Sequence, residues 1–350
     1  MKITFTRSAI LALSIAGLFL FTQCGTDTPK TPKNSNTQTA PEKKQLPIPK
    51  FDMDSAYSFV EKQVSFGPRV PGSDAHQQCK EWLVEQLNGY GTSVIEQDFE
   101  ATLYTGKSYN FTNIIGQINP ELGNRIILAA HWDSRLWADS KLSTERRDQA
   151  IDGADDGASG VGVLLEIARL IQENPIEDLG IDIILFDAED NGEHDSNPKT
   201  EEEELRSMRT WCLGSQYWAK NPHKKGYRAG WGILLDMVGA KNARFPKEAF
   251  SAQMAPSLQD KIWKLAQGMG YSNYFVNERG RPATDDHYFI GTIAKIPMID
   301  IIHLSDKEDQ FFGAHWHTHN DNMDIIDPRT LRAVGQVVTA VVYKQAGNVL

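Results

Sequence analysis

The stretch DGADDGASGV, residues 152–161, decides the fold because of what stands on either side of it. Upstream, RIILAA (125–130) is an apolar run leading straight into His131 and Asp133. Downstream, 181–186 is a second apolar run, closed by Asp187, Ala188, Glu189 and Asp190. Both runs have strand length and read as buried strands. Between them Val163, Leu164, Ile167, Ala168 and Leu170 recur at helical spacing, which predicts a helix over 160–172. Buried strand, helix, buried strand is the repeating unit of a parallel sheet. The expected fold is therefore α/β, with a central mixed, mostly parallel sheet flanked by helices. Charged side chains gather where such a sheet places its ligand crevice, outside the carboxyl ends of the strands.

Working outward, 54–64 reads as a helix with Ala56, Phe59 and Val60 on one face. Ser73 caps a second helix over 74–87, whose Trp82, Leu83 and Leu87 form an apolar stripe. Further strands are expected over 93–100, 111–117, 231–238 and 294–302, and further helices over 214–219, 256–269 and 328–344. The polar stretch 137–151 reads as a loop over the site. The acidic stretch 194–210, with EEEE at 201–204, reads as a solvated loop or helix, or as a rim for basic substrates.

The first fifty residues differ in kind. Lys2 and Arg7 precede an apolar segment, 9–21, that is short for a membrane span, and Cys24 follows closely. This pattern resembles a bacterial lipoprotein signal, with an ordinary secretory signal and an incidental cysteine as the alternative. The expected organisation is a signal peptide over 1–23, then a lipidated Cys24 and flexible tether over 24–50. A single globular catalytic domain would fill 51–350. The expected location is the cell envelope, lipid-anchored, periplasmic or associated with the outer membrane. A formal net charge of −10 argues against a nucleic-acid partner. Cys79 and Cys212 read equally as two buried thiols or as a bridge.

The chemistry lies in His131, Asp133, Asp155, Asp156, Glu189, Asp190, Asp236, Asp285, Asp286, His287, His315, His317 and His319. Singly, each has a plain explanation, since an Asp ahead of a helix is usually a cap. Four separate segments placing charge at buried strand ends call for a shared cation. Imidazole with carboxylate suits Zn²⁺ better than Mg²⁺ or Ca²⁺, which prefer oxygen alone.

The blocks FGPRVPGS, AAHWDSR, DGADDGASGVGVLLEIARL, IILFDAEDNGE, GILLDMVGA, TDDHYF and HWHTHNDNMD follow one another in this order. Together they resemble the zinc aminopeptidase fold of peptidase family M28 and, within it, the glutaminyl cyclases. The resemblance implies zinc ligands at Asp156, Asp190 (usually Glu) and His317, with Glu189 as general base. It implies that His131 and Asp236 hold a second zinc in dinuclear aminopeptidases and persist without one in cyclases. Trp316, and Trp211 as the better second candidate, would wall the substrate pocket. Asp285, with Asp236, would belong to the hydrogen-bond network that holds the amine. Two departures stand out: Asp300 replaces a histidine of the animal enzymes, and Ala130 and Val161 replace their cysteine pair. The expected activity is conversion of N-terminal glutamine of peptides or proteins to pyroglutamate with release of ammonia. The alternatives are a dizinc aminopeptidase and an inactive binding lipoprotein, the last disfavoured by the intact Glu189.

Overall fold

The computed structural model describes residues 43–194 and 200–350, so the expectations for 1–23 and Cys24 fall outside the described residues. In chain order the elements are α1 (Met53–Ser65), α2 (Asp74–Gly89), β1 (Ser93–Thr102), β2 (Ser108–Ile118), β3 (Arg125–His131), α3 (Ala158–Glu173) and β4 (Gly180–Phe186). There follow α4 (Glu201–Met208), α5 (Leu213–Lys220), β5 (Gly232–Asp236), β6 (Phe245–Lys247), α6 (Ala249–Met254) and α7 (Pro256–Gly268). The chain closes with β7 (Phe275–Arg279), α8 (Asp286–Phe289), β8 (Met298–Ile302) and α9 (Pro328–Ala346).

The two apolar runs are the centre. β3 and β4 are buried along their whole lengths and pair in parallel from Arg125 opposite Gly180 to His131 opposite Phe186. β5 and β8 extend the sheet in parallel on one side, and β2 and β1 add antiparallel on the other, in the order β1-β2-β4-β3-β5-β8. Full burial is possible because helices cover both faces. One charge sits inside β4: Asp182 is buried and takes a two-pronged bond from Arg125, at 2.6 and 2.9 Å, with the Tyr227 hydroxyl as a third donor. A buried carboxylate persists only when paired and hydrogen-bonded in this way.

α3 lies on β3 and β5 beneath α1 and α9. Its glycines explain how closely. A Cβ on Gly160 would overlap the Leu235 carbonyl, and one on Gly162 would stand 2.7 Å from Val60 Cγ2 in α1. The motif that carries site residues thus also lets its own helix seat against the strand that carries Asp236.

Some expectations change. The last strand starts at Met298 rather than at 294, because 290–294 winds as a wide helical turn and Lys295 is left-handed at φ 59°. The pair β6 and β7 was not expected. The acidic stretch contains α4, whose start is closed by a reciprocal Thr200–Glu203 cap. Cys79 and Cys212 are both buried free thiols, so the bridge is ruled out. Residues 43–50, expected as the end of a tether, lie along α9. Lys44 N donates to Gly347 O at 2.8 Å and Gln336 Nε2 to Pro49 O at 3.0 Å.

Candidate metal centre and its pocket

The parallel strands deliver their carboxyl ends to one edge. His131 ends β3, the Ala188–Asn191 turn follows β4, and Asp236 ends β5. The GADDG loop enters α3, and the loop between β8 and α9 brings in His317, whose φ is 55°. His317 Nε2 stands 2.9 Å from Asp190 Oδ1 and 3.8 Å from Asp156 Oδ2. His131 Nε2 stands 3.1 Å from Asp156 Oδ1 and 3.2 Å from Asp236 Oδ1. Asp156 therefore faces two triads, Asp156–Asp190–His317 and His131–Asp156–Asp236, and each could hold a cation. All of these side chains are buried.

The donor set fits zinc. Asp156 Oδ2 and Asp190 Oδ2 are buried without a hydrogen-bond partner, an arrangement that a divalent cation would satisfy. One imidazole and two carboxylates form a three-ligand set of the kind that leaves a fourth position open for substrate or water. The shorter Asp190 reaches His317 because its turn is held tightly to β3. Asp133, two residues past the end of β3, accepts from Glu189 N at 3.1 Å, Asp190 N at 3.2 Å and Asn191 Nδ2 at 3.1 Å.

Other buried carboxylates do the same for other loops. Asp321 accepts from Asp155 N at 2.7 Å and Asp156 N at 3.1 Å. Asp155 does not face the triads. Its Oδ1 accepts from Gly239 N at 2.7 Å and Ala240 N at 2.9 Å, and its Oδ2 lies 2.8 Å from His315 Nε2. Asp139 Oδ1 lies 3.1 Å from His317 Nδ1 while Asp139 also pairs with Arg135, and Arg135 binds the Asp190 and Gly192 carbonyls. His317 Nδ1 has no aligned hydrogen-bond partner, so Asp139 acts on the imidazole through its nearby charge, which raises the ring's basicity.

Sequence reading missed Asp139 and Asp321, since nothing separates them from ordinary loop aspartates until their partners are seen. His319 is turned away, with Nε2 at 3.1 Å from Arg146 O. His287 lies behind the pocket, with Nε2 at 3.1 Å from Glu248 Oε2, and Asp286 and Asp300 are buried nearby.

Glu189 lines a cavity of about 360 Å³ together with Asp156, Asp190, Asp236 and His317. Burial, and then the charges of Asp285 and Asp190, push its carboxyl well above the ordinary range, while His131 pulls the other way. A cation at Asp190 would also pull it down. Asp236 is likewise raised, by burial first. Asp236 and Asp285 line the cavity with Glu189. Its other walls combine Met237, Pro282 and Ile302 with aromatic rings. The Trp316 indole lies on the His317 imidazole with ring centres 3.6 Å apart, and Trp211 is nearly parallel to the same ring at 6.0 Å. Phe311 and Phe312 continue the wall. Ala188, Cys212, Met237 and His317 all have φ between 47° and 57°, conformations uncommon for residues with a Cβ. Such strained positions concentrate at functional sites, and here they edge this one.

Residues 113–342 match peptidase family M28. The chain belongs to this family. Among solved M28-like structures, a glutaminyl cyclase of Bacteroides thetaiotaomicron bound to N-acetylhistamine is 47% identical with a TM-score of 0.80, covering 85% of this chain and 99% of that one. A Zn-dependent exopeptidase of Parabacteroides distasonis is 45% identical, also with a TM-score of 0.80 and the same coverage. The glutaminyl-peptide cyclotransferase of Gloydius blomhoffii is 26% identical over 308 residues, 79% of this chain and 77% of that one. The fold is that of the M28 zinc enzymes, and the candidate metal cluster lies within the matched M28 region.

Proposed function

We propose that this chain is a zinc-dependent glutaminyl cyclase acting on peptides or proteins with N-terminal glutamine. The observation that carries this reading is the aromatic lining of the cavity beside the triad. Trp316 lies flat on His317, and with Trp211 it walls a cavity of about 360 Å³ beside the triad, with Glu189, Asp236 and Asp285 on its polar side. The resemblance to solved bacterial glutaminyl cyclases at 46–47% identity supports it.

Zinc at Asp156, Asp190 and His317 would supply Lewis-acid polarisation of a carbonyl oxygen. The aromatic walls hold the glutamine side chain curled toward its own α-amine, which makes the attack intramolecular. Asp236 and Asp285 accept from the amine and aim its nitrogen. As the new C–N bond forms at the γ-carbon, Glu189 takes a proton from the amine. It returns that proton to the departing nitrogen as the old C–N bond breaks and ammonia leaves.

We assign one working ion. His131 Nε2 already reaches both Asp156 Oδ1 and Asp236 Oδ1, whereas within the two triads the unpartnered oxygens belong to Asp156 and Asp190. The second reading, a dizinc aminopeptidase, is favoured by the completeness of the His131–Asp156–Asp236 set. Mass spectrometry on a Gln-initiated and a Leu-initiated peptide separates them. Loss of ammonia from the first alone supports the cyclase, and release of free N-terminal residues establishes the peptidase.

The pattern of Lys2, Arg7, the apolar 9–21 segment and Cys24 supports export and a lipid anchor on Cys24 in the cell envelope. Among the described residues no helix is long and apolar enough to cross a membrane. Labelling with a radioactive fatty acid that persists in Cys24→Ser would refute the anchor.

A further inference from the structure

Glu189 has a partner that the reaction scheme above does not use. Cys212 Sγ stands 3.1 Å from Glu189 Oε1, and the Cys212 backbone N–H donates to the Glu189 carbonyl at 3.0 Å. Leu213 N donates to Ala188 O at 2.9 Å, so the start of α5 is laced to the turn that carries the base. The thiol is fully buried. Its placement has a conformational cost, since Cys212 sits at φ 55°, ψ 40°, a left-handed position that L-residues with a Cβ rarely take. At that position the backbone amide meets the carbonyl of Glu189 while the side chain meets its carboxylate.

The two oxygens of Glu189 then differ. Oε1 accepts from Cys212, and Oε2 lies 3.9 Å from His131 Nδ1. A thiol has one hydrogen to give. Burial, with the negative charge of Glu189 behind it, keeps this thiol protonated and hence a donor. Without that donor the carboxylate can turn about its last torsion, which for a Glu is broad and roughly two-fold.

We propose that Cys212 is a positioning residue for the general base: its S–H holds Glu189 Oε1 so that the carboxylate keeps one orientation toward the substrate amine. The inference rests on the assignment of Glu189 as base, which the cyclase and aminopeptidase readings share. It is therefore separable from the choice between them.

The test compares Cys212→Ala and Cys212→Ser with wild type in the zinc-loaded full chain. A misplaced base slows the chemical step and leaves binding alone. Cys212→Ala should therefore lower kcat about tenfold, the factor expected for losing a hydrogen bond to a charged group, with KM changed by less than about twofold. Cys212→Ser keeps a donor and should recover most of that loss. Zinc content and melting temperature are measured on each variant, so that a folding defect is seen as such. Equal kcat in Cys212→Ala and wild type, or an equal fall in both variants, overturns the proposal.

A readout independent of turnover decides the case if Cys212→Ala folds poorly. The infrared S–H stretch that disappears in Cys212→Ser is assigned to Cys212. It should move to higher frequency in Glu189→Ala, where the acceptor is gone. A band that does not move means that the thiol does not donate to Glu189. If wild type fails to release ammonia from a Gln peptide, the cyclase reading falls, and the same comparison is then made on the rate of N-terminal residue release.

Discussion

Asp321→Asn tests whether zinc binding depends on a residue that would not touch the ion. Asp321 is buried and accepts two consecutive backbone amides, Asp155 N at 2.7 Å and Asp156 N at 3.1 Å. Asparagine keeps the shape but has one acceptor oxygen, so its NH₂ must face one of the two amides. One hydrogen bond to a charged group is lost, about 1.5–3 kcal/mol, and a buried amide donor is left unsatisfied, about 1–3 kcal/mol. The loop relieves that cost by moving, and Asp156 moves with it. Loss of such supporting contacts typically weakens metal affinity by about 10–100-fold. The assay is competition for Zn²⁺ against a chromophoric chelator, with activity followed as free zinc is raised. The expected variant has weaker zinc affinity, recovers activity at excess zinc, and has a lower denaturant midpoint. An unchanged zinc affinity together with an unchanged midpoint would refute the idea that Asp321 sets the position of Asp156.

Glu189→Gln should keep zinc content and melting temperature while kcat falls by about 10²–10⁴, the usual contribution of a general base; near-normal turnover, read by ammonia release, removes Glu189 from the chemistry. Trp316→Ala opens the wall over His317 and should raise KM for Gln-initiated peptides with zinc content preserved, as measured by elemental analysis. The Cys79 thiol, pushed up to about 12 by burial with Arg69 opposing, stays protonated at pH values near 8.5 where a free thiol is half ionised. Iodoacetamide should therefore modify it only in denaturant, and rapid labelling of the folded chain, located by peptide mapping, would contradict its burial. Arg125→Met leaves Asp182 without its two-pronged partner inside β4 and should destabilise the fold by about 3–5 kcal/mol in urea titration.

The strands that build the centre were legible because burial on both faces leaves an uninterrupted apolar run, as in 126–130 and 183–186. β6 and β7 were not, because they have three and five residues and are partly exposed, too short for a period to show. The early start read for β8 has a similar cause. Ile290, Ile293 and Ile296 continue the apolar character of the strand, and only the left-handed Lys295 shows where the chain turns.

At the site, residues that aim charge at the crevice were readable from position alone, since charge at the end of a buried strand is costly without a partner. Asp139, Asp321 and Cys212 were not. They act on a ring nitrogen, on backbone amides and on one carboxylate oxygen, and those partners are brought close only by the tertiary fold. Their sequence neighbourhoods are those of any polar loop or helix start.

The contact between residue 44 and the end of α9 fixes where the first described residues lie. α9 begins beside the centre, where Asp327 N donates to Gly239 O and the Thr330 hydroxyl to Ala240 O. Its 19 residues then run about 28 Å away before Gly347 meets Lys44. Lys44 therefore lies a helix length from the loop that follows β5, and α9 braces residues 43–50 against the same domain that carries the site.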